Sequence, residues 1–95
     1  MNLIIVSRHP AAIEFIRNEL PEFSDAPVLA SASADDVRDA HVAGNLPLDL
    51  AAVANCVRAI VYPEGKAPRG TEYTLADMYN AGARIQLFYV FAEDK

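Results

Sequence analysis

The chain has 95 residues, 53% of them hydrophobic, and a formal net charge of −5, with a pI near 4.8. That length and apolar content fit one folded domain over residues 1–95 and exclude a disordered chain, while no apolar run reaches the ~20 residues of a membrane span. The acidic balance argues against long DNA or RNA as a partner, although screening over about 8 Å still lets a few clustered cations hold a small anion.

Leu3-Ile4-Ile5-Val6 reads as a buried strand that runs without a spacer into Ser7-Arg8-His9, followed by Pro10, a residue suited to the first turn of a helix. The polar triplet therefore sits where a strand hands over to a helix. In open α/β sheets ligands bind at the carboxyl ends of strands, where the N–H groups of the next helix favour negative charge. Ser7, Arg8 and His9 are thus the core of a candidate anion site. Met1-Asn2 passes directly into the strand with no basic flank, so no secretory signal is expected and the expected location is the cytoplasm.

A first helix should run from Pro10 or Ala11 to Leu20, with Ile13, Ile16 and Leu20 at helical spacing and Pro21 stopping it. A short second strand is expected around Pro27-Val28-Leu29-Ala30. In the polar segment Ser31 to Ala40, Ser33 and Asp36 are spaced like a capping box, which allows a turn of helix there. His41-Val42-Ala43 reads as a third strand, and Gly44-Asn45-Leu46-Pro47 repeats the opening logic of strand, tight polar turn and proline. A second helix is expected over Leu48 to Val57, apolar nearly all round. Cys56, within that pattern, reads as a small core residue rather than a nucleophile, and as the sole cysteine it makes no internal disulfide.

Arg58 to Tyr62 gives a fourth strand. The loop from Pro63 to Gly70, carrying Lys66 and Arg69, reads either as a surface connection or as a lid. Thr74 and Asp77 fit the start of a third helix that Gly82 ends. Arg84 to Phe91 is the last strand; apolar on both faces after Gln86, it suits a central or dimer-covered position. The order β-α-β-β-α-β-α-β belongs to a small Rossmann-like α/β three-layer sandwich, with a mostly parallel sheet of about five strands and three helices.

Among the polar groups, Arg8 offers a planar fork that pairs with phosphate oxygens, and His9 an imidazole able to move a proton near neutral pH. Plainer roles are open to both: His9 as the cap of the first helix, Arg8 as the partner of a carboxylate at the sheet edge. His41 opens an apolar strand and reads as structural. Tyr62, Tyr73, Tyr79 and Tyr89 are able to stack on a base but read as core, with Tyr73 alone in a lid position. Two histidines and one cysteine at unrelated spacings offer no ligand set, so neither metal nor cofactor is expected.

Two resemblances bear on function. Arg8-His9 after the first strand resembles the histidine phosphatases, which implies a phosphomonoesterase with a phosphohistidine at His9; Pro10 stands where that family has glycine, and no second Arg and His pair follows. The broader resemblance rests on Val6 to Glu14, on Gly44-Asn45-Leu46-Pro47-Leu48 with Leu50-Ala51-Ala52, and on Arg69-Gly70, Glu72-Tyr73-Thr74, Asp77-Met78 and Gly82-Ala83-Arg84. These blocks resemble, in order, the CRISPR-associated family numbered sixteen in the Csx series, grouped with the ring nucleases of type III CRISPR systems.

That resemblance implies a metal-independent phosphodiesterase that degrades cyclic tetra-adenylate and so switches off antiviral signalling, or a non-catalytic module that binds or sequesters the same ring. For such a ligand the residues' own chemistry makes Arg8 and His9 the candidate catalytic residues, and Ser7, Pro10, Gly44, Asn45, Leu46, Lys66, Arg69 and Tyr73 the candidate ligand-binding ones. A homodimer would match the two-fold axis of the ring. Asn45 stands where the family more often has threonine. Asp49 replaces a neutral or basic polar residue, and a carboxylate there competes with phosphate for helix N–H groups.

Overall fold

The computed structural model describes residues 2–64, 66–68, 70 and 72–93. Strand β1 (Leu3–Val6) shows how the layers arise. Successive side chains of a strand point to opposite faces: Ile4 and Val6 pack with Val37, Val42, Ala51 and Val57, whereas Ile5 packs with Ile16, Phe23 and Ala43. A strand covered on both faces needs an unbroken apolar run, which Leu3-Ile4-Ile5-Val6 supplies.

Around β1 lie β2 (Val28–Leu29), β3 (His41–Gly44), β4 (Cys56–Val61) and β5 (Arg84–Phe88), in the order β2-β1-β3-β4-β5. The first four are parallel to one another, and β5 runs antiparallel to β4. Helices α1 (Pro10–Glu19) and α4 (Leu75–Asn80) cover one face, joined through Ala12, Phe15 and Met78. Helices α2 (Ala34–Val37) and α3 (Leu48–Val53) cover the other through Val37 and Ala51. The result is the expected small Rossmann-like α/β fold with a mostly parallel five-stranded sheet. No helix among the described residues is long and apolar enough to cross a membrane.

Four details differ from the sequence reading. The described residues hold four α-helices rather than three, because the Ser33–Asp36 pair does form a reciprocal capping box that starts α2. The helix expected over Leu48 to Val57 ends at Val53; the chain turns out at Ala54 and Asn55, whose N–H donates to the Ala40 carbonyl, and β4 begins at Cys56. Cys56 is therefore a buried strand residue, not a helical one. The last strand ends at Phe88 and lies at the sheet edge, with Leu87 and Phe88 exposed, not at its centre. An apolar run reports that a strand meets apolar neighbours, but carries no information on how many strands lie beyond it.

Candidate functional site

With β2 on one side of β1 and β3 on the other, the chain reverses its direction of winding between β1 and β3. In open α/β sheets the crevice at the carboxyl ends of such a strand pair is where ligands bind. A cavity of about 360 Å³ opens there, bounded by Ser7, Arg8 and His9 after β1, Gly44 and Asn45 at the end of β3, and Tyr62 and Tyr73 across from them.

The turn after β1 is held by its own side chains. The His9 N–H donates to Ser7 Oγ (3.1 Å), and Arg8 Nε donates to the Ala30 carbonyl just beyond β2 (3.2 Å). That bond uses the inner nitrogen of the guanidinium and leaves the two terminal ones for a ligand. His9 is the N-cap residue of α1 by backbone position, yet its side chain makes no capping hydrogen bond. Its ring lies against Tyr73 instead, with centroids 4.7 Å apart and planes tilted by 32°. The first helical bond of α1 runs from the Ile13 N–H to the His9 carbonyl, so the Ala11 and Ala12 N–H groups belong to the open first turn, and Ala12 lines the cavity.

Gly44 closes the floor. It pairs with Val6 across β1–β3 at φ +127°, and a Cβ there would meet the Val6 carbonyl oxygen at 2.2 Å. Only glycine allows the two strand ends to come this close. Asn45 then behaves as an extra peptide unit of the sheet: its Oδ1 accepts from the Ile60 N–H (3.0 Å) and its Nδ2 donates to the Ile60 carbonyl (3.4 Å). Its amide is committed to β4 rather than turned to a ligand.

Among the described residues the cavity is lined by one guanidinium, one imidazole and two phenols, and by no carboxylate. The described acidic residues, in a chain of net charge −5, lie outside that lining. A guanidinium about 4 Å from a phosphate gains roughly 4 kcal/mol at an effective dielectric of 20, so Arg8 supplies the cation of the lining. Burial pushes the Tyr62 phenol above its ordinary pKa, and the neighbouring Tyr73 adds to the effect; burial does the same for Tyr73. Both therefore stay protonated at neutral pH. No group of three or more His, Cys, Asp or Glu side chains able to hold a metal ion occurs among the described residues.

The remaining expected site residues divide. Pro10 is exposed at the first position of α1 and does not line the cavity. Leu46 faces a separate apolar groove of about 210 Å³ between α3 and β5, on the other side of Asn45. Lys66 is exposed, outside the lining, with its N–H on the Pro63 carbonyl, and Arg69 lies outside the described residues. Asp49, in the first turn of α3, is not part of the lining. His41 sits at the amino end of β3, far from the strand ends that form the cavity, with Nδ1 3.2 Å from Cys56 Sγ. Tyr62, which reads as core in the sequence, lines the cavity. Its one signal is its place at the carboxyl end of the fourth strand, which points to a site only once β4 is known to lie beside β3.

A cavity over the carboxyl ends of a mostly parallel sheet, at the point where the winding reverses, defines a small Rossmann-like protein with a site fit for a compact anion. A family model described as "Putative CRISPR-associated protein (Cas_VVA1548)" matches residues 4–91. The chain belongs to that CRISPR-associated family. No curated protein and no solved structure matches it.

Proposed function

We propose that this chain is a ring nuclease: a metal-independent phosphodiesterase that opens cyclic tetra-adenylate and thereby ends type III CRISPR signalling in the cytoplasm. The observation that carries the reading is the placing of Arg8 and His9 together in the lining of a cavity with no carboxylate among the described residues, in a chain of a CRISPR-associated family. Arg8 would clamp the non-bridging oxygens of one phosphodiester with its terminal nitrogens, where negative charge grows as the ribose 2′-oxygen attacks phosphorus. His9 would move the proton, an imidazole being suited to that task near neutral pH. Strand cleavage in this mode leaves a 2′,3′-cyclic phosphate end.

A cavity of about 360 Å³ lies near the lower bound of the ~300–1,000 Å³ typical of small-molecule sites. It suits about one nucleotide unit, so a ring of four calls for a second copy. A homodimer about the ring's own two-fold axis would grip opposite linkages with two Arg8–His9 pairs.

The test is to incubate the purified protein with cyclic tetra-adenylate in excess chelator and resolve the products by chromatography. Linear products with 2′,3′-cyclic phosphate ends are expected. Intact ring bound in stoichiometric amount would make the protein a sequestering module instead. Inorganic phosphate released from a monoester, with a phosphohistidine at His9, would make it a phosphomonoesterase.

A further inference from the structure

Cleavage by the ribose 2′-oxygen needs two proton movements on opposite sides of phosphorus. One proton leaves the 2′-hydroxyl as its oxygen attacks, and one reaches the 5′-oxygen as the P–O5′ bond breaks. The cavity contains a single imidazole, and no carboxylate among the described residues, so His9 cannot share the work with a second group of its own kind. What the cavity does contain is two phenols. Tyr73 lies with its ring on His9 at 4.7 Å, on the imidazole's own side. Tyr62 follows the end of β4. β3 stands between β4 and the β1 strand that leads into His9, which sets the two strands about 10 Å apart across the sheet. Tyr62 and His9 thus line the same cavity and follow strands that lie on either side of β3.

On the reading proposed above, we infer that Tyr62 is the general acid that protonates the leaving 5′-oxygen, with His9 as the base and Tyr73 as a positioning residue for the imidazole. The 2′-O–P bond forms as P–O5′ breaks. The 2′-hydroxyl proton passes to His9, and the phenolic proton passes to the 5′-oxygen. The products are a 2′,3′-cyclic phosphate and a 5′-hydroxyl, and water carries the proton from imidazolium back to phenolate. A phenol is a far stronger acid than the alcohol whose oxygen departs, so the transfer runs downhill once the bond loosens. The other titratable groups that line the cavity with Tyr62 are Arg8, His9 and Tyr73. The guanidinium and the newly formed imidazolium both favour the transient phenolate. Burial keeps Tyr62 in its acid form throughout the neutral range.

The experiment compares two rings, ordinary cyclic tetra-adenylate and the same ring with sulfur in place of each bridging 5′-oxygen. A thiolate leaves without a proton, so the sulfur ring has no need of an acid. Tyr62→Phe, which keeps the ring of the side chain, should cut kcat on the oxygen ring by on the order of a hundredfold, with KM little changed, and leave the sulfur ring turning over within about threefold of the unaltered protein. Tyr73→Leu, which removes the stack on His9, should lower kcat on both rings alike, with Tyr73→Phe restoring it. Equal slowing of Tyr62→Phe on both rings, no slowing at all, or sulfur rescue at Tyr73 rather than Tyr62 would overturn the assignment while leaving the ring nuclease intact. Failure of the unaltered protein to open the oxygen ring would overturn the nuclease reading instead.

Discussion

Replacing Gly44 by alanine tests the close approach on which the cavity depends. The new Cβ would start 2.2 Å from the Val6 carbonyl oxygen and 3.1 Å from its carbon. Real Cβ contacts do not fall under 3.0 Å, so β1 and β3 must part by about 0.8 Å or rotate. The positive φ adds about 1–3 kcal/mol for any side-chain-bearing residue. Each ladder hydrogen bond weakened by the parting costs about 1 kcal/mol more. A loss of about 3–5 kcal/mol follows, against a total stability of roughly 5–14 kcal/mol for a domain of this size.

In urea, with a slope of about 1.5 kcal/mol/M, the midpoint should drop by about 2–3 M. Gly70→Ala is the control: φ is +85° there too, but nothing stands within 4 Å of the added carbon, so only the conformational cost of about 1 kcal/mol remains. A Gly44→Ala midpoint no lower than that of Gly70→Ala would show that the β1–β3 contact is not what demands glycine.

His9→Ala should lower turnover of the ring by on the order of a hundredfold while the dissociation constant measured by calorimetry changes little; Arg8→Ala should damage both. Asn45→Ala leaves the Ile60 N–H and carbonyl without their partners and should cost about 1–3 kcal/mol in thermal or urea unfolding. The phenols of Tyr62 and Tyr73 are raised above 10.0, so the folded chain holds these protons more tightly than the unfolded one. The resulting stability is present below pH 10.0 and is lost as pH climbs through the raised values. Urea midpoints should fall as pH rises above 10.0, and less so in the Tyr62→Phe, Tyr73→Phe double variant.

Local signals in the sequence carried a good part of this structure. The Leu3–Val6 run, Pro10 at the head of α1, the Ser33 and Thr74 capping boxes and the turn after Gly44 were each readable because neighbouring residues decide them. What depended on distant parts of the chain was not. From Leu48 to Val61 the sequence is apolar except at Asp49, Asn55 and Arg58 and has neither glycine nor proline, so no strong breaker marks where α3 gives way to β4. The boundary is set by pairing with β3, His41 against Cys56. The edge position of β5 and the entry of Tyr62 into the cavity are likewise consequences of strand order. Arg8 and His9 were legible as a pair; their partners Ala30 and Tyr73, 22 and 64 positions further on, were not legible as contacts.

Asn45 has one further consequence. By closing two hydrogen bonds with Ile60, its amide freezes one wall of the crevice while the chain folds, before any guest arrives. The ordering entropy of that wall is charged to folding and not to association, which is what preorganisation means in thermodynamic terms. A variant with glycine at this position would meet the same guest with a slack wall, and the difference would register as a less favourable entropy of binding.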